Sequence, residues 1–169
     1  MSVRLTSLVR AAKQAGDITQ LVAAVPYARF LGITALHVDG ELRGHLPFSD
    51  HLVGNPMLPA IHGGVISALL ESTAIFQLMW EAEAIIVPKT ITLTVDFLRS
   101  GRAVDTFARG LLTRQGRRVA NVRVEAWQED RDRPIAVASA HFLVEPAAAH
   151  RRGVLHLDIK PGNVATERD

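Results

Sequence analysis

The chain has 169 residues, of which 48% are hydrophobic and 21% charged, so its length and composition fit one globular domain with a single core. The formal net charge is only +2, so the sequence shows no strong nucleic-acid-binding signal and any basic patch must be local. The absence of cysteine excludes disulfides, thiolate zinc ligands and thiol nucleophiles, and it fits a reducing, cytoplasmic location.

Residues 1–25 predict an N-terminal helical arm. Their apolar residues recur at nearly helical spacing, and Asp17 is placed to cap a second helical piece. A short turn of helix is expected to follow and to end at Gly32. We expect the main domain to cover residues 26–146, and residues 147–169, which are rich in small and charged residues, to form a flexible tail.

Two strands, over 33–38 and 41–48, are predicted on either side of the turn signal Asp39-Gly40. The segment from Pro47 to Ala60 contains three prolines, a glycine and an asparagine, which predicts an ordered loop without regular structure. The chain would therefore enter its most apolar segment from an irregular loop.

A long helix is predicted to begin near His62. Its interior is apolar on every side, a pattern typical of a helix enclosed by protein. The segment is long enough to raise the question of a membrane span, but its glycines and polar side chains make insertion costly. We therefore expect a soluble protein without membrane insertion.

After Pro88 the hydrophobic period changes to two, which predicts a strand, and further strands are expected near 104–113, 118–128 and 134–145. One enclosed helix followed by antiparallel strands indicates an α+β fold in which a curved sheet wraps the helix. The remaining sheet edge would favour pairing with a second copy of the chain.

Glu71 is the only ionisable side chain between His62 and Glu81. Its apolar neighbours predict that it is largely buried, and an unpaired carboxylate would be expensive there. Glu71 is therefore either a catalytic group or a structural hydrogen-bonding residue.

The sequence His62-Gly63-Gly64 stands where the loop enters the helix, and the first N–H groups of a helix have no partner inside it. Glycine leaves room for a substrate carbonyl, and the helix dipole favours the negative charge that develops on its oxygen. A simple junction with glycine for tight packing is the alternative. Glu71 lies two and a half turns further on, too far to share one carbonyl with this junction within one chain.

The stretch from Asn55 to Glu71, NPMLPAIHGGVISALLE, resembles the signature of hotdog-fold acyl-CoA thioesterases of the phenylacetic-acid-degradation (PaaI-like) type. The stretch from Thr90 to Arg99, TITLTVDFLR, is similar to the strand that follows the helix in that family. The resemblance extends over roughly residues 27–145. It implies a hotdog fold and a homodimer, with a dimer of dimers as the expected assembly.

The resemblance also implies roles for individual residues. The Gly63 N–H would polarise the thioester carbonyl, and Glu71 of the partner subunit would act on it, either as the general base for water or as the nucleophile. His62 would order the loop, Asn55 would orient water or substrate, and Thr90 matches a hydroxyl that assists in some members.

Two of these assignments have structural alternatives. Asn55 lies seven residues before His62, whereas several members have the asparagine six residues before the histidine, so Asn55 could instead close its own turn before Pro56. Thr90 could be an ordinary strand residue.

Coenzyme A would enter only as part of the substrate, and its phosphates call for cations near the mouth of the site. The candidates are Arg99, Arg114, Arg117 and Arg118. We expect no cofactor and no metal, because the seven histidines show no compact ligand spacing.

Two rival functions remain open. The stretch from His51 to Pro59 resembles the loop of hotdog acyl-carrier-protein dehydratases, but Val65 stands where those enzymes have their helix carboxylate. A non-catalytic acyl-CoA-binding protein would keep the same groove and tolerate the loss of Glu71.

Overall fold

The structure is a computed structural model, and it describes residues 2–82 and 85–144. The helices are α1 (Ser2–Ala15), α2 (Thr19–Ala23), α3 (Pro26–Leu31) and α4 (Gly63–Glu81). The strands are β1 (Thr34–Val38), β2 (Glu41–Leu46), β3 (Val53–Asn55), β4 (Ala60–Ile61), β5 (Lys89–Phe97), β6 (Thr106–Gln115), β7 (Val119–Trp127) and β8 (Ala136–Leu143).

Within the described ranges, six strands form one antiparallel sheet in the order β1-β2-β6-β7-β8-β5. Helix α4 packs against β2, β5, β6, β7 and β8 of this sheet. A sheet that contacts one helix through so many strands must curve around it. The predicted α+β architecture, a long helix wrapped by an antiparallel sheet, is confirmed.

Close approach between α4 and the sheet depends on glycine. A Cβ on Gly44 would overlap the Oγ1 atom of Thr73, and a Cβ on Gly110 would lie 3.1 Å from the Cβ of Gln77. The core residues of α4, including Leu69, Leu70 and Ala74, are consequently sealed from solvent.

The two strands predicted on either side of the Asp39-Gly40 turn are also confirmed as β1 and β2. Asp39 and Gly40 have φ angles of 54° and 78°, which is the conformation of a two-residue hairpin turn. The prediction of a wholly irregular loop over 47–60 was wrong, because β3 and β4 pair within it. A short loop can form such a ladder wherever two of its segments run antiparallel.

One side of α4 is not covered by the sheet. Gly64, Ser67, Glu71 and Ile75 follow one another at helical spacing and are exposed or half-buried. The expectation of a helix enclosed on every side was therefore wrong for a single chain. Strand β5 borders this open side as an edge strand, and its residues Ile91 and Phe97 are 57% and 54% exposed.

Helix α4 has the length and hydropathy of a membrane span by composition alone, yet 56% of that window is buried inside the fold. It is the core helix of this domain, in line with the expected soluble protein. A cytoplasmic location stays a prediction.

The N-terminal helices add to the same core, since Val9, Ala12, Ile18 and Leu21 are buried in it. Asp17 was predicted to cap α2, but Ile18 is the N-cap residue and Asp17 lies one position before it. The Asp17 Oδ1 still accepts a hydrogen bond from the Thr19 N–H, the first of the helix, at 2.9 Å. The predicted division at residues 25 and 146 stays a prediction, and the tail at 147–169 lies outside the described residues.

Candidate active site

The start of α4 is built around His62, which is its N-cap residue. The His62 Nδ1 accepts a hydrogen bond from the Gly64 N–H at 2.9 Å, so this ring nitrogen acts as the acceptor of the helix cap. The Gly63 N–H has no acceptor within the described part of the chain. Of the two glycines predicted to meet the substrate, Gly63 therefore keeps a free donor at the helix N-terminus, whereas the Gly64 donor is occupied.

The preceding loop fixes this junction from both sides. The His62 N–H donates to the Leu52 carbonyl at 2.8 Å, and the Ile61 N–H donates to the Gly101 carbonyl at 2.9 Å. Only glycine fits at position 54, because a Cβ there would lie 2.7 Å from the His62 ring. The predicted ordering role of His62 thus has a structural basis in its cap and its packing.

Phe97, at the end of β5, lies over Gly63. A Cβ on Gly63 would lie 3.2 Å from the ring of Phe97, which is tighter than ordinary contact. The donor of Gly63 and the exposed edge strand are therefore neighbours.

Glu71 meets the other end of β5. The hydroxyl of Thr90 donates to Glu71 Oε1 at 2.6 Å, so Thr90 is in direct contact with the candidate carboxylate. Glu71 is half-buried in the single chain, so it is less enclosed than the buried core residues Leu69 and Leu70 beside it. The reason is geometric: Glu71 projects from the side of α4 that the sheet leaves open.

The two halves of the predicted site are separated along the helix. Glu71 follows Gly63 by eight positions, which corresponds to a rise of about 12 Å along the helix. One chain therefore presents the free Gly63 N–H at one end of β5 and the Glu71 carboxylate at the other.

Asn55 closes its own turn. Its Oδ1 accepts from the Met57 N–H at 3.0 Å, and its carbonyl accepts from the Leu58 N–H at 3.1 Å. These are the bonds expected of the structural alternative. A contribution of Asn55 to chemistry stays a prediction.

The predicted CoA-binding arginines do not meet within one chain. Arg99 donates to the Pro134 carbonyl at 2.6 Å, just before β8 begins. Arg117 and Arg118 lie in the turn between β6 and β7, where the Arg118 carbonyl accepts from the N–H of Val144, just after β8 ends. The length of β8 separates the two groups by about 25 Å. Arg114 lies near the same turn, at the end of β6.

Two further arginines share a cavity with Arg99. Arg102 and Arg133 line this cavity of about 280 Å³ beside it, and buried Gln128 supports its wall by accepting from the Arg102 N–H at 3.0 Å. The sequence contains a signal for this cluster. Arginine-rich turns follow β5 and precede β8, and antiparallel pairing of these strands brings the two turns together.

The histidines do not form a rival centre in the described ranges. No group of three or more histidine, aspartate and glutamate residues that could hold a metal ion lies together among residues 2–82 and 85–144. His51, the residue that a dehydratase would need, lies 2.9 Å from the Ser49 hydroxyl. Half-buried Val65 occupies the place of the second catalytic group, so acid–base chemistry between these two positions is excluded.

Comparison with known proteins gives a consistent result. The family model described as Thioesterase superfamily matches residues 58–135. The medium/long-chain acyl-CoA thioesterase YigI of Escherichia coli (strain K12) is 32% identical over 159 residues, which is 85% of this chain and 99% of the relative. The chain belongs to the thioesterase superfamily.

Solved structures resemble this thioesterase in fold and sequence. A protein from Chromobacterium violaceum is 40% identical with a TM-score of 0.67, covering 81% of this chain and 96% of the other. A phenylacetic acid degradation-related protein from Ralstonia eutropha JMP134 is 30% identical with a TM-score of 0.63, covering 72% and 92%. The predicted resemblance to hotdog thioesterases of this type is confirmed.

Proposed function

We propose that this protein hydrolyses acyl-CoA to a free acid and CoA at a site made by two chains. Membership of the superfamily and the acyl-CoA thioesterase activity named for the Escherichia coli relative support the reaction. The observation that carries the two-chain site is the position of β5. It touches the free Gly63 end of α4 through Phe97 and the Glu71 end through Thr90.

Antiparallel pairing of two β5 edges would complete the site. A two-fold axis that passes midway between Leu93 and Thr94 would set Thr90 opposite the partner subunit's Phe97. Glu71 would then lie beside the partner subunit's Gly63. The open edge and the exposed apolar residues of β5 favour such pairing, because both are unfavourable in a lone chain.

The same two-fold axis would bring Arg99 of one chain nearer to Arg117 and Arg118 of the other. Arg99 lies just beyond the Phe97 end of β5, whereas Arg117 and Arg118 lie near the end of the sheet that contains Thr90. Pairing would bring the partner subunit's Arg99 to that end, about three strand spacings, or ~14 Å, from Arg118. A phosphate-rich substrate such as CoA would find cations from both chains at one mouth.

In the proposed mechanism the Gly63 N–H donates to the thioester carbonyl oxygen and stabilises the charge that develops there. Glu71 of the opposing chain removes a proton from water, whose oxygen then bonds to the carbonyl carbon. The C–S bond breaks and the CoA thiolate takes up a proton. Attack by Glu71 itself, through an anhydride that water then hydrolyses, is the alternative route. Thr90 orients the carboxylate in both.

A non-catalytic acyl-CoA-binding protein would use the same groove. Retention of a carboxylate with a hydroxyl partner, on the open face of α4, favours hydrolysis, because binding alone does not need the carboxylate.

The direct test measures thiol release from short, medium, long and aromatic acyl-CoAs by the wild type and by Glu71→Gln. We expect turnover of at least one substrate class by the wild type and its loss in the variant. Saturable acyl-CoA binding without thiol release from any of the substrates would reject the enzyme and support the binding protein.

A further inference from the structure

An apolar groove lies at the β1 edge of the sheet, between β1, α2 and the end of α3. Its volume is about 420 Å³, which is within the range of small-molecule sites. The residues that line it include Val22, Ala23, Arg29, Ile33, Ala35 and Leu36. The groove belongs to no part of the proposed active site.

The groove is held open by the turn between α3 and β1. Gly32 ends α3 in the left-handed conformation with a φ angle of 76°, and the Ile33 N–H donates to the Ala28 carbonyl at 2.8 Å. The chain therefore reverses sharply, so that α3 and β1 form two walls and α2 forms a third. These walls are hydrogen-bonded elements, and the groove is part of the fold rather than a gap beside a loop.

Arg29 is the one charged residue that lines the groove in the described part of the chain. Two hydroxyl groups also line it, but that of Thr19 donates to Asp17 at 2.7 Å and that of Thr34 lies 3.3 Å from the His45 ring. The Arg29 guanidinium has neither a carboxylate nor a hydrogen-bond partner among the described residues. A single unpaired cation at an apolar groove is complementary to an anionic head group with an aliphatic tail.

We propose that this groove binds a fatty acid, with its carboxylate on Arg29 and its chain along Val22, Ile33 and Leu36. A fatty acid is also a product of the proposed hydrolysis of acyl-CoA. The groove could therefore sense this product, and that role rests on the proposed function. Binding itself does not require the reaction.

The groove is separate from the active site. Strands β1 and β5 form opposite edges of the six-stranded sheet, so about five strand spacings, or ~24 Å along a flat sheet, lie between them. Occupancy of the groove can therefore be measured in a Glu71→Gln background, in which hydrolysis does not interfere.

The test is titration of sodium dodecanoate, below its micelle concentration, into the full-length protein. Binding is followed by calorimetry and by backbone amide NMR. We expect saturable binding with shifts at Gly32 to Leu36, and an affinity about tenfold weaker in Arg29→Gln. Ala23→Trp, which fills the groove from the exposed side of α2, should abolish these shifts.

Two controls distinguish recognition of the carboxylate by Arg29 from nonspecific hydrophobic binding. Arg123→Gln removes an exposed arginine on β7 and should leave dodecanoate affinity unchanged. Dodecanol, which has no charge, should bind the wild type and Arg29→Gln equally. Arg29→Gln should also keep the melting temperature and the thioester hydrolysis of the wild type, which shows that the variant is folded.

Equal dodecanoate affinity in the wild type and Arg29→Gln would overturn the proposal. So would shifts confined to α4 and β5, which would mean that the fatty acid occupies only the catalytic groove. Either result leaves thiol release from acyl-CoA intact, so this failure is distinguishable from a failure of the proposed function.

Discussion

The two ends of strand β5 meet α4 in different ways. At the Gly63 end, β5 approaches α4 through the ring of Phe97, and the junction itself is held within its own chain by the His62 cap and by the Leu52 and Gly101 carbonyls. At the Glu71 end, a single 2.6 Å hydrogen bond from Thr90 joins two side chains on an open face. The donor half of the proposed site is therefore held within one chain, whereas the carboxylate half lies on a face of α4 that the single chain leaves open.

The largest expected effect is at the carboxylate. Glu71→Gln keeps the size of the side chain and can still bond Thr90, but it removes the base or nucleophile. We expect kcat to fall by about 10²–10⁴. Steady-state thiol release measures this, and Glu81→Gln, at the end of the same helix, serves as the matched control and should retain wild-type kcat.

The donor end is tested by Gly63→Pro, which deletes one N–H at the first position of the helix, where proline fits. His62 already has an extended ψ angle of 132°, as a residue before proline requires. We expect kcat to fall by about 10²–10³. Gly63→Ala retains the N–H and adds only a methyl group against Phe97, so it should lose much less activity; equal losses in the two variants would argue against the donor.

Thr90→Val removes the hydroxyl that orients Glu71 while preserving shape. A positioning role predicts a fall in kcat of about tenfold with KM little changed, the size of one hydrogen bond to a charged group. Thr92→Val, two residues along the same exposed strand, provides the comparison and should leave both constants unaltered. A rise in KM alone would assign Thr90 to substrate binding instead.

The smallest effect on catalysis is expected at Asn55, whose Oδ1 is already bonded within its turn. Asn55→Ala should lower the free energy of unfolding by about 1 kcal/mol and change kcat by less than about threefold. Chemical denaturation and thiol release together test this. A large loss of kcat at unchanged stability would restore the predicted catalytic role.

Much of this fold could be predicted from periodicity. The helix at 63–81, the Asp39-Gly40 hairpin and the strands after Pro88 all follow local patterns that the tertiary structure preserves. The pairing of β3 with β4 could not be predicted, because it joins two very short segments with little pattern of their own.

The residues of the candidate site could be proposed from the sequence, but the side of α4 that a single chain leaves open could not. The composition around Glu71 is apolar on every side of the helix, and sequence does not tell which of those sides a single chain covers. For the same reason the sequence could not show that Arg99 lies far from Arg117 and Arg118 within one chain. The end of the sheet at which each arginine lies depends on strand order. Strand order is a long-range property, whereas hydrophobic periodicity is local.

The central claim is that each active site contains Gly63 from one chain and Glu71 from another. The most direct measurement co-expresses Gly63→Pro and Glu71→Gln chains with different affinity tags and assays the purified mixed pairs. Each mixed pair would contain one intact site, so we predict about half of the wild-type activity. Activity no higher than that of the two parent variants would contradict the shared site.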